Sequence, residues 1–436
     1  MKSADREMHL ALMISGVGSH MGAWRMPESE FGPEDFSHYK RITLLAEKAK
    51  LDMVFIADAP VALLGAGDLQ KLEAVTLLAG LAAVTSEIGL GATVSTTYSE
   101  PYNVARMMGS IDHMSRGRAA WNVVTTSPPE AAANFGQDAE TPKSQRYERA
   151  SEFVGVTKGL WDSWEDEALL LDKANGILVD NAKKHVLNHK GKFLSVAGPL
   201  NMSRPPQGYP VIIQAGASEL GIPFAAEVGE VIFTVQDNID DTKAFGDRLK
   251  ALAAERGRNP LDMRILPGIC PFVAESEEKA RQMLWDLSEY IEPESAWAKL
   301  RSRLGVPVEH LDPEGPLPTI PWEQMRGHAK TLTVVAAKNG FNLRQIRDFA
   351  AAASGHRLVF GTPEMVADDL ELWFRSGAAD GFIVIPPALP GPLDAFLEGV
   401  VPILQKRGLF RSDYIGTTLR EHLGLSRPAH PAVAKQ

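Results

Sequence analysis

Apolar and polar positions along this chain follow two alternating patterns. Short, almost unbroken apolar runs occur at His9–Ser15, Leu51–Asp58, Ile88–Thr96, Ala119–Thr126, Pro210–Gly216, Val231–Val235, Met263–Val273 and Gly381–Pro386. Runs of this kind suit strands buried on both faces. Between them lie stretches with apolar residues at helical spacing: Phe36–Lys50, Leu72–Thr85, Val104–Met114, Ser144–Trp164, Glu219–Glu227, Asp240–Arg256, Ser276–Tyr290, Leu343–Ala353, Pro363–Ser376 and Leu393–Arg407. Strand followed by helix, repeated about eight times, predicts a closed (β/α)8 TIM barrel; an open α/β sheet is the alternative.

Three segments break the alternation. Residues 165–210 carry turn signals and a small β excursion in HVLNHKGKFLSV (His185–Val196). Residues 291–330 are rich in Pro, Gly and Trp and read as an insertion, while residues 408–436 read as an exposed tail. The whole chain, 1–436, is expected to be one barrel domain with these additions, since barrels tolerate them.

Composition narrows the function. A formal net charge of −10 argues against a nucleic-acid binder, which needs a basic face. The single cysteine, Cys270, excludes an intramolecular disulfide and a four-cysteine zinc site. It sits inside an apolar run, which favours a buried, inert thiol over a reactive one. The apolar run Met8–Ile14 is too short for a signal sequence, and no stretch is long enough to span a membrane. A cytoplasmic protein is expected.

In such barrels chemistry sits at the C-terminal ends of the strands. Those ends carry Gly16, Gly18, Ser19 and His20, then Asp58, then Thr93, Ser95 and Thr96, then Asn122, Thr125 and Thr126, then Gln214, Gly216 and Ser218. Hydrogen-bonding groups outnumber titratable ones. The set suits holding a polar ring and a phosphate better than hydrolysing an ester. A dinucleotide fingerprint fails, because Met21 stands where its third glycine belongs and no helix follows. No P-loop and no G-x-S-x-G elbow is present. His185 and His189 have helical spacing but lie in an extended stretch, and they read as solvated loop histidines rather than metal ligands.

The stretch QAGASELG (Gln214–Gly221) runs from a strand into a helix N-terminus. Its small residues let backbone N–H groups approach an anion, with Ser218 as a hydroxyl donor or a plain helix cap. Arg146 and Tyr147 open the long helix and either reach the same anion or merely pack. Asp58 either caps a loop or belongs to the site, and the same choice applies to His20.

Several longer stretches are distinctive: GSHMGAWRMP (Gly18–Pro27), MVFIAD (Met53–Asp58), EPYNVARMMGSIDHMSRGRAAWNVVTT (Glu100–Thr126), RYERASEF (Arg146–Phe153), LWDSWEDEAL (Leu160–Leu169), HKGKFLSVAGPLNMSRPPQGYPVIIQAGAS (His189–Ser218) and GTPEMVADDLELWF (Gly361–Phe374). In this order they resemble the nitrilotriacetate monooxygenase / dibenzothiophene-sulfone monooxygenase group of the bacterial luciferase-like family. The resemblance implies a barrel with FMN at the strand C-termini. It places Asp58, Thr93, Asn122 and Thr125 along the flavin ring and ribityl chain, and Arg146, Tyr147, Gly216, Ala217 and Ser218 at the phosphate. It implies a two-component oxygenase. A separate NAD(P)H:flavin reductase supplies FMNH2, O2 is co-substrate, and a small organic molecule is oxygenated through a flavin peroxide.

Organosulfur compounds and amines or aminopolycarboxylates are the substrate classes of such relatives, and homodimers or tetramers are their usual assemblies. His20 becomes the expected catalytic residue, as a proton donor or hydrogen-bond partner. Asn103 stands where relatives often carry His, and an amide there cannot transfer a proton. The family often has a non-prolyl cis peptide at the end of strand three, which would fall near Thr93–Val94. Residues 291–330, with Trp297 and Trp322, are the candidate lid, or else a packing excursion. A deazaflavin-dependent oxidoreductase and a non-catalytic flavin-binding protein of the same fold are the alternatives.

Overall fold

The computed structural model describes residues 6–29, 32–62, 72–126, 128–216, 218–308, 310–320, 327–353 and 355–432. Eight parallel strands form its centre: β1 (His9–Ile14), β2 (Met53–Ile56), β3 (Gly89–Ser95), β4 (Ala119–Val124), β5 (Val211–Gln214), β6 (Val231–Thr234), β7 (Arg264–Val273) and β8 (Gly381–Val384). Their spatial order is β6-β5-β4-β3-β2-β1-β8-β7, and pairing of Val231 with Arg264 joins β6 to β7 and closes the ring. The expected (β/α)8 barrel is therefore present.

Alternation of side chains explains the unbroken apolar runs. Ala11, Met53, Phe55, Ala120, Val211, Ile213, Val231, Leu266 and Ile383 pack together inside the barrel. Leu10, Leu12, Val54, Leu90, Trp121 and Ile212 point outward, into the layer shared with the helices. Phe55 on β2 and Phe233 on β6 come from opposite sides of the ring. Their rings meet edge-to-face at 5.7 Å and close the interior below the mouth.

Four features differ from the sequence reading. The stretch 408–436 is not an exposed tail. Leu409, Phe410 and Arg411 are buried, and Leu419, Leu423 and Leu425 join the interior cluster. A one-turn helix, Leu419–His422, held by a Thr418–Glu421 capping box, presents these leucines. Without them Val211, Val231 and Leu266 would face water at the N-terminal end of the barrel.

An unforeseen ninth strand, Arg357–Gly361, pairs with the second half of β7, from Ile269 to Val273. β6 pairs with the first half, Arg264 to Pro267, so the extra strand continues the line of β6 above the rim. The insertion is a packed helical layer. Pro293–Leu304, Gly327–Asn339 and Leu343–Ala353 share an apolar core of Leu300, Leu304, Leu332, Ile346 and Phe349. Trp297 lies under the Arg347 guanidinium at 5.0 Å, whereas Trp322 lies outside the described residues.

Finally, the cis peptide bonds of the described residues are Gly198–Pro199 and Leu389–Pro390, so the cis bond expected near Thr93–Val94 is not found. The excursion at 165–210 contains two small hairpins, Leu169–Asp172 with Ile177–Val179, and His189–Lys190 with Ser195–Val196. Among the described residues no helix is long and apolar enough to cross a membrane.

Candidate functional site

Parallel register sets the first part of the mouth. Thr93 on β3 and Asn122 on β4 are direct neighbours across the ladder, and Asn122 neighbours Ile213 on β5. The Thr93 hydroxyl donates to the Ile56 carbonyl at 3.0 Å and accepts from Asn122 Nδ2 at 2.8 Å. That chain of bonds fixes the amide, yet Asn122 Oδ1 is buried with no partner. A buried acceptor left unpaired costs roughly 1–3 kcal/mol. Just past the end of β4, Thr125 gives its carbonyl to the Thr97 hydroxyl at 2.8 Å. Thr126 then adopts φ +44° and bonds to Ser95 Oγ. Left-handed backbone is strained for a β-branched residue, and such strain gathers at functional sites.

The helix Lys143–Trp161 supplies the cations. Arg146 is buried and paired with Glu140, but its Nε has no partner. Arg149 lies one turn further on the same face. Its Nη2 donates to the Ser99 carbonyl at 3.2 Å, and its Nη1 is buried and unpaired. Next to Ser99, Tyr98 stacks on Phe135 at 4.5 Å, and its hydroxyl too is buried without a partner. Arg149 and Tyr98 were not picked out from the sequence. The three-residue spacing from Arg146 was the available signal for Arg149.

Tyr147 joins this helix to the one that follows β5. Its ring meets Phe224 of Gly221–Val228 at 5.7 Å. The turn between β5 and that helix is tight: a Cβ on Gly216 would stand 3.0 Å from Gly221 Cα. Gly216 N–H donates to Gln214 Oε1, and Ser218 Oγ accepts from Gly221 N–H at 3.1 Å. Ser218 therefore acts as a local cap here, the simpler of its two expected roles. Tyr147 thus packs on the helix that follows this turn, while Arg146 pairs with Glu140; Ala217 lies outside the described residues.

The remaining candidates make local contacts. Asp58, beyond the end of β2, accepts from its neighbour Ala59 N–H at 2.8 Å. His20 is fully buried. Its Nδ1 accepts from Gly22 N–H at 3.0 Å, and its Nε2 faces Ser288 Oγ at 3.5 Å. Burial, aided by Lys299, lowers its pKa to about 3. Both nitrogens of this neutral imidazole face protein groups, and the proton-donor or hydrogen-bonding role expected for His20 stays an expectation. Asn103 is exposed on the helix Pro101–Met114.

His185 and His189 are no pair: one bonds Glu165 at 2.8 Å and the other Glu152 at 2.9 Å. Cys270 is buried, and burial raises its thiol to about 12, as an inert thiol requires. The histidine that does reach the mouth is His356, stacked on Phe233 at 4.9 Å.

Comparison with known proteins follows this geometry. A family model described as luciferase-like monooxygenase matches residues 15–380. The chain is similar to N-acetyl-S-(2-succino)cysteine monooxygenase of Bacillus subtilis (strain 168), 42% identical over 99% of both chains. It is similar to nitrilotriacetate monooxygenase component A of Aminobacter aminovorans, 41% identical over 99% of both. Among solved structures, riboflavin lyase with modified FMN and riboflavin superposes with a TM-score of 0.84. It is 32% identical, covering 99% of this chain and 100% of that one. The likeness to the nitrilotriacetate group read from the motifs is borne out.

Proposed function

This chain belongs to the luciferase-like monooxygenase family and is a monooxygenase, and we propose that it uses reduced FMN to put one atom of O2 into a small organic molecule. The observation that carries this reading is the set of buried polar atoms without partners around one side of the mouth: Asn122 Oδ1, Arg146 Nε, Arg149 Nη1 and the Tyr98 hydroxyl. Buried polar groups in folded proteins are mostly paired, and four of the exceptions among the described residues come from the ends of β3 and β4 and the adjoining helix, which supports a ligand there. One acceptor beside two guanidinium groups matches a molecule with an N–H-bearing ring and an anionic tail.

FMN fits that description. Asn122, fixed by Thr93, would accept from the ring edge, with Asp58 and Thr125 bordering it. Arg146 and Arg149 would meet the phosphate, with Gly216, Ala217, Ser218 and Tyr147 around it; phosphates favour such turns at helix N-termini. When bound in reduced form, FMN supplies the activation of oxygen. This chain's own task is to hold the ring, neutralise the phosphate and keep water out. The Phe55–Phe233 contact closes the mouth from below, and the 291–330 segment, whose helix Pro293–Leu304 is described, is the candidate cover.

A separate NAD(P)H:flavin reductase in the cytoplasm would supply the reduced flavin. In support, one relative is named as component A of its system. Organosulfur compounds and aminopolycarboxylates are the substrate classes to test, because the relatives' names contain them. We also read the chain as one barrel domain that assembles as a homo-oligomer.

Calorimetry with FMN and anaerobic FMNH2, followed by product analysis with photoreduced FMN and O2, tests the proposal. Binding below about 0.1 mM and an oxygenated product are expected. Failure of both flavin forms to bind would sink it.

A further inference from the structure

Beside the mouth lies a cavity of about 790 Å3 that the flavin reading does not use. Its size falls in the range of small-molecule sites. Trp285, Phe341, Phe349 and Trp373 give it aromatic walls; the adjacent His356 and Arg357 join Arg281, Lys338 and Asp369 among its polar wall residues.

The fold gives His356 and Arg357 a special position. They open the extra strand Arg357–Gly361, where it takes over from β6 at the rim. His356 stacks almost parallel on Phe233, at an interplanar angle of 11°. Phe233 is itself one half of the contact that closes the barrel interior. The imidazole enters over Gly268 of β7, where a Cβ would stand 2.3 Å from His356 Nδ1. Only glycine leaves that slot open. β7 lies across the ring from β3, so His356 faces the mouth from the side opposite Thr93.

Arg357 is incompletely paired. Its Nη1 meets both oxygens of Asp369 at 2.8 and 2.7 Å, and its guanidinium lies 4.2 Å from the Trp373 ring centroid. Its Nε and Nη2, which share the side-on edge of the guanidinium, are buried with no acceptor. That edge is the one that grips a carboxylate or sulfonate through two parallel hydrogen bonds.

We propose that this cavity is the substrate chamber, and that it takes an organic oxyanion with a flat apolar body. Arg357 holds the anionic group, the aromatic walls hold the body, and His356 makes the polar contact where the chamber meets the mouth. The inference rests on the oxygenase reading but is tested apart from it.

The test titrates flavin-free protein with 2-naphthoate and with its neutral counterpart 2-naphthalenemethanol, following tryptophan fluorescence, since Trp285 and Trp373 line the chamber. Naphthoate should bind in the submillimolar range. Arg357→Gln and His356→Gln should each weaken it about tenfold or more, a loss of about 1.4 kcal/mol. The neutral compound should lose far less in Arg357→Gln, and FMN affinity should stay within about twofold in both variants. His356→Gln keeps the test open if the Arg357 variant does not fold. FMN and naphthoate should bind together. Competition between them, equal naphthoate binding by wild type and variants, or no naphthoate binding would each overturn the proposal. Naphthoate binding without FMN binding would instead overturn the oxygenase reading and leave the chamber standing.

Discussion

The two ends of the barrel differ in how their buried polar groups are paired. At the N-terminal end, Asp52 is fully buried and fully engaged. It binds His9 at 3.0 Å, Arg411 at 2.6 Å and the Leu10 N–H at 2.7 Å. Those partners hold its carboxyl below the usual range even though desolvation pushes it up. Glu230 is likewise clamped by Arg420 and the Ile212 N–H. At the C-terminal end, Asn122, Arg146 and Arg149 keep buried atoms with nothing to bind. The first end pairs its carboxylates fully and leaves over Arg411 Nη1 and the His422 ring nitrogens; the second leaves an amide oxygen and two guanidinium groups incompletely paired, at the end where barrels of this kind bind ligands.

Damage at the two ends should therefore show up in different measurements. The largest effect is expected from Asp52→Asn. It takes the buried carboxylate from Arg411 and leaves only the partly exposed Glu7 to face that guanidinium; breaking a buried pair costs about 3–5 kcal/mol. Urea denaturation should show that loss. A change under about 1 kcal/mol would mean the N-terminal network is worth no more than a surface ion pair.

Acid should come next. Burial holds His20 at about 3 and His422 at about 4, against an ordinary 6.5. In the unfolded chain both take up protons near 6.5, so protonation favours unfolding. Their contribution is complete above pH 6.5 and is lost as the pH falls towards 4. Each should cost about 2 kcal/mol or more by about pH 4.5, read as a falling denaturant midpoint. His20→Gln should flatten that profile; an unchanged profile would remove His20 from the account.

Variants at the mouth should spare stability and lose ligand. Arg146→Gln and Arg149→Gln should weaken FMN about tenfold or more and leave riboflavin unchanged, because only FMN carries a phosphate. Equal loss for both flavins would move the phosphate elsewhere. The smallest effect belongs to Ser218→Ala. Its hydroxyl already accepts from Gly221 N–H, so FMN should weaken only a few-fold, with about 1 kcal/mol of stability lost with the cap. Riboflavin binding serves as the control there too.

Legibility from sequence followed burial and distance. The eight barrel strands were readable because both faces are buried, which writes continuous apolar runs into the chain. The strand Arg357–Gly361 was not, being a five-residue run wedged between two helices. The plug at Leu419, Leu423 and Leu425 escaped notice because a one-turn helix writes no period. Asn122, Thr93 and the Gly216–Ser218 turn could be found from their place at strand ends. His20 and His356 could not be told apart in the same way. Each lies near glycine in a loop, and only packing buries one behind Ser288 and lays the other on Phe233.

The sequence alone determined the succession of strands and helices, and with it the closed barrel and the end at which chemistry must lie. Those properties depend on local periodicity and on apolar surface leaving water. Tertiary structure alone decided which polar atoms found partners and which were left without. A hydrogen bond depends on the distance and angle between groups far apart in the chain, and no local pattern records them.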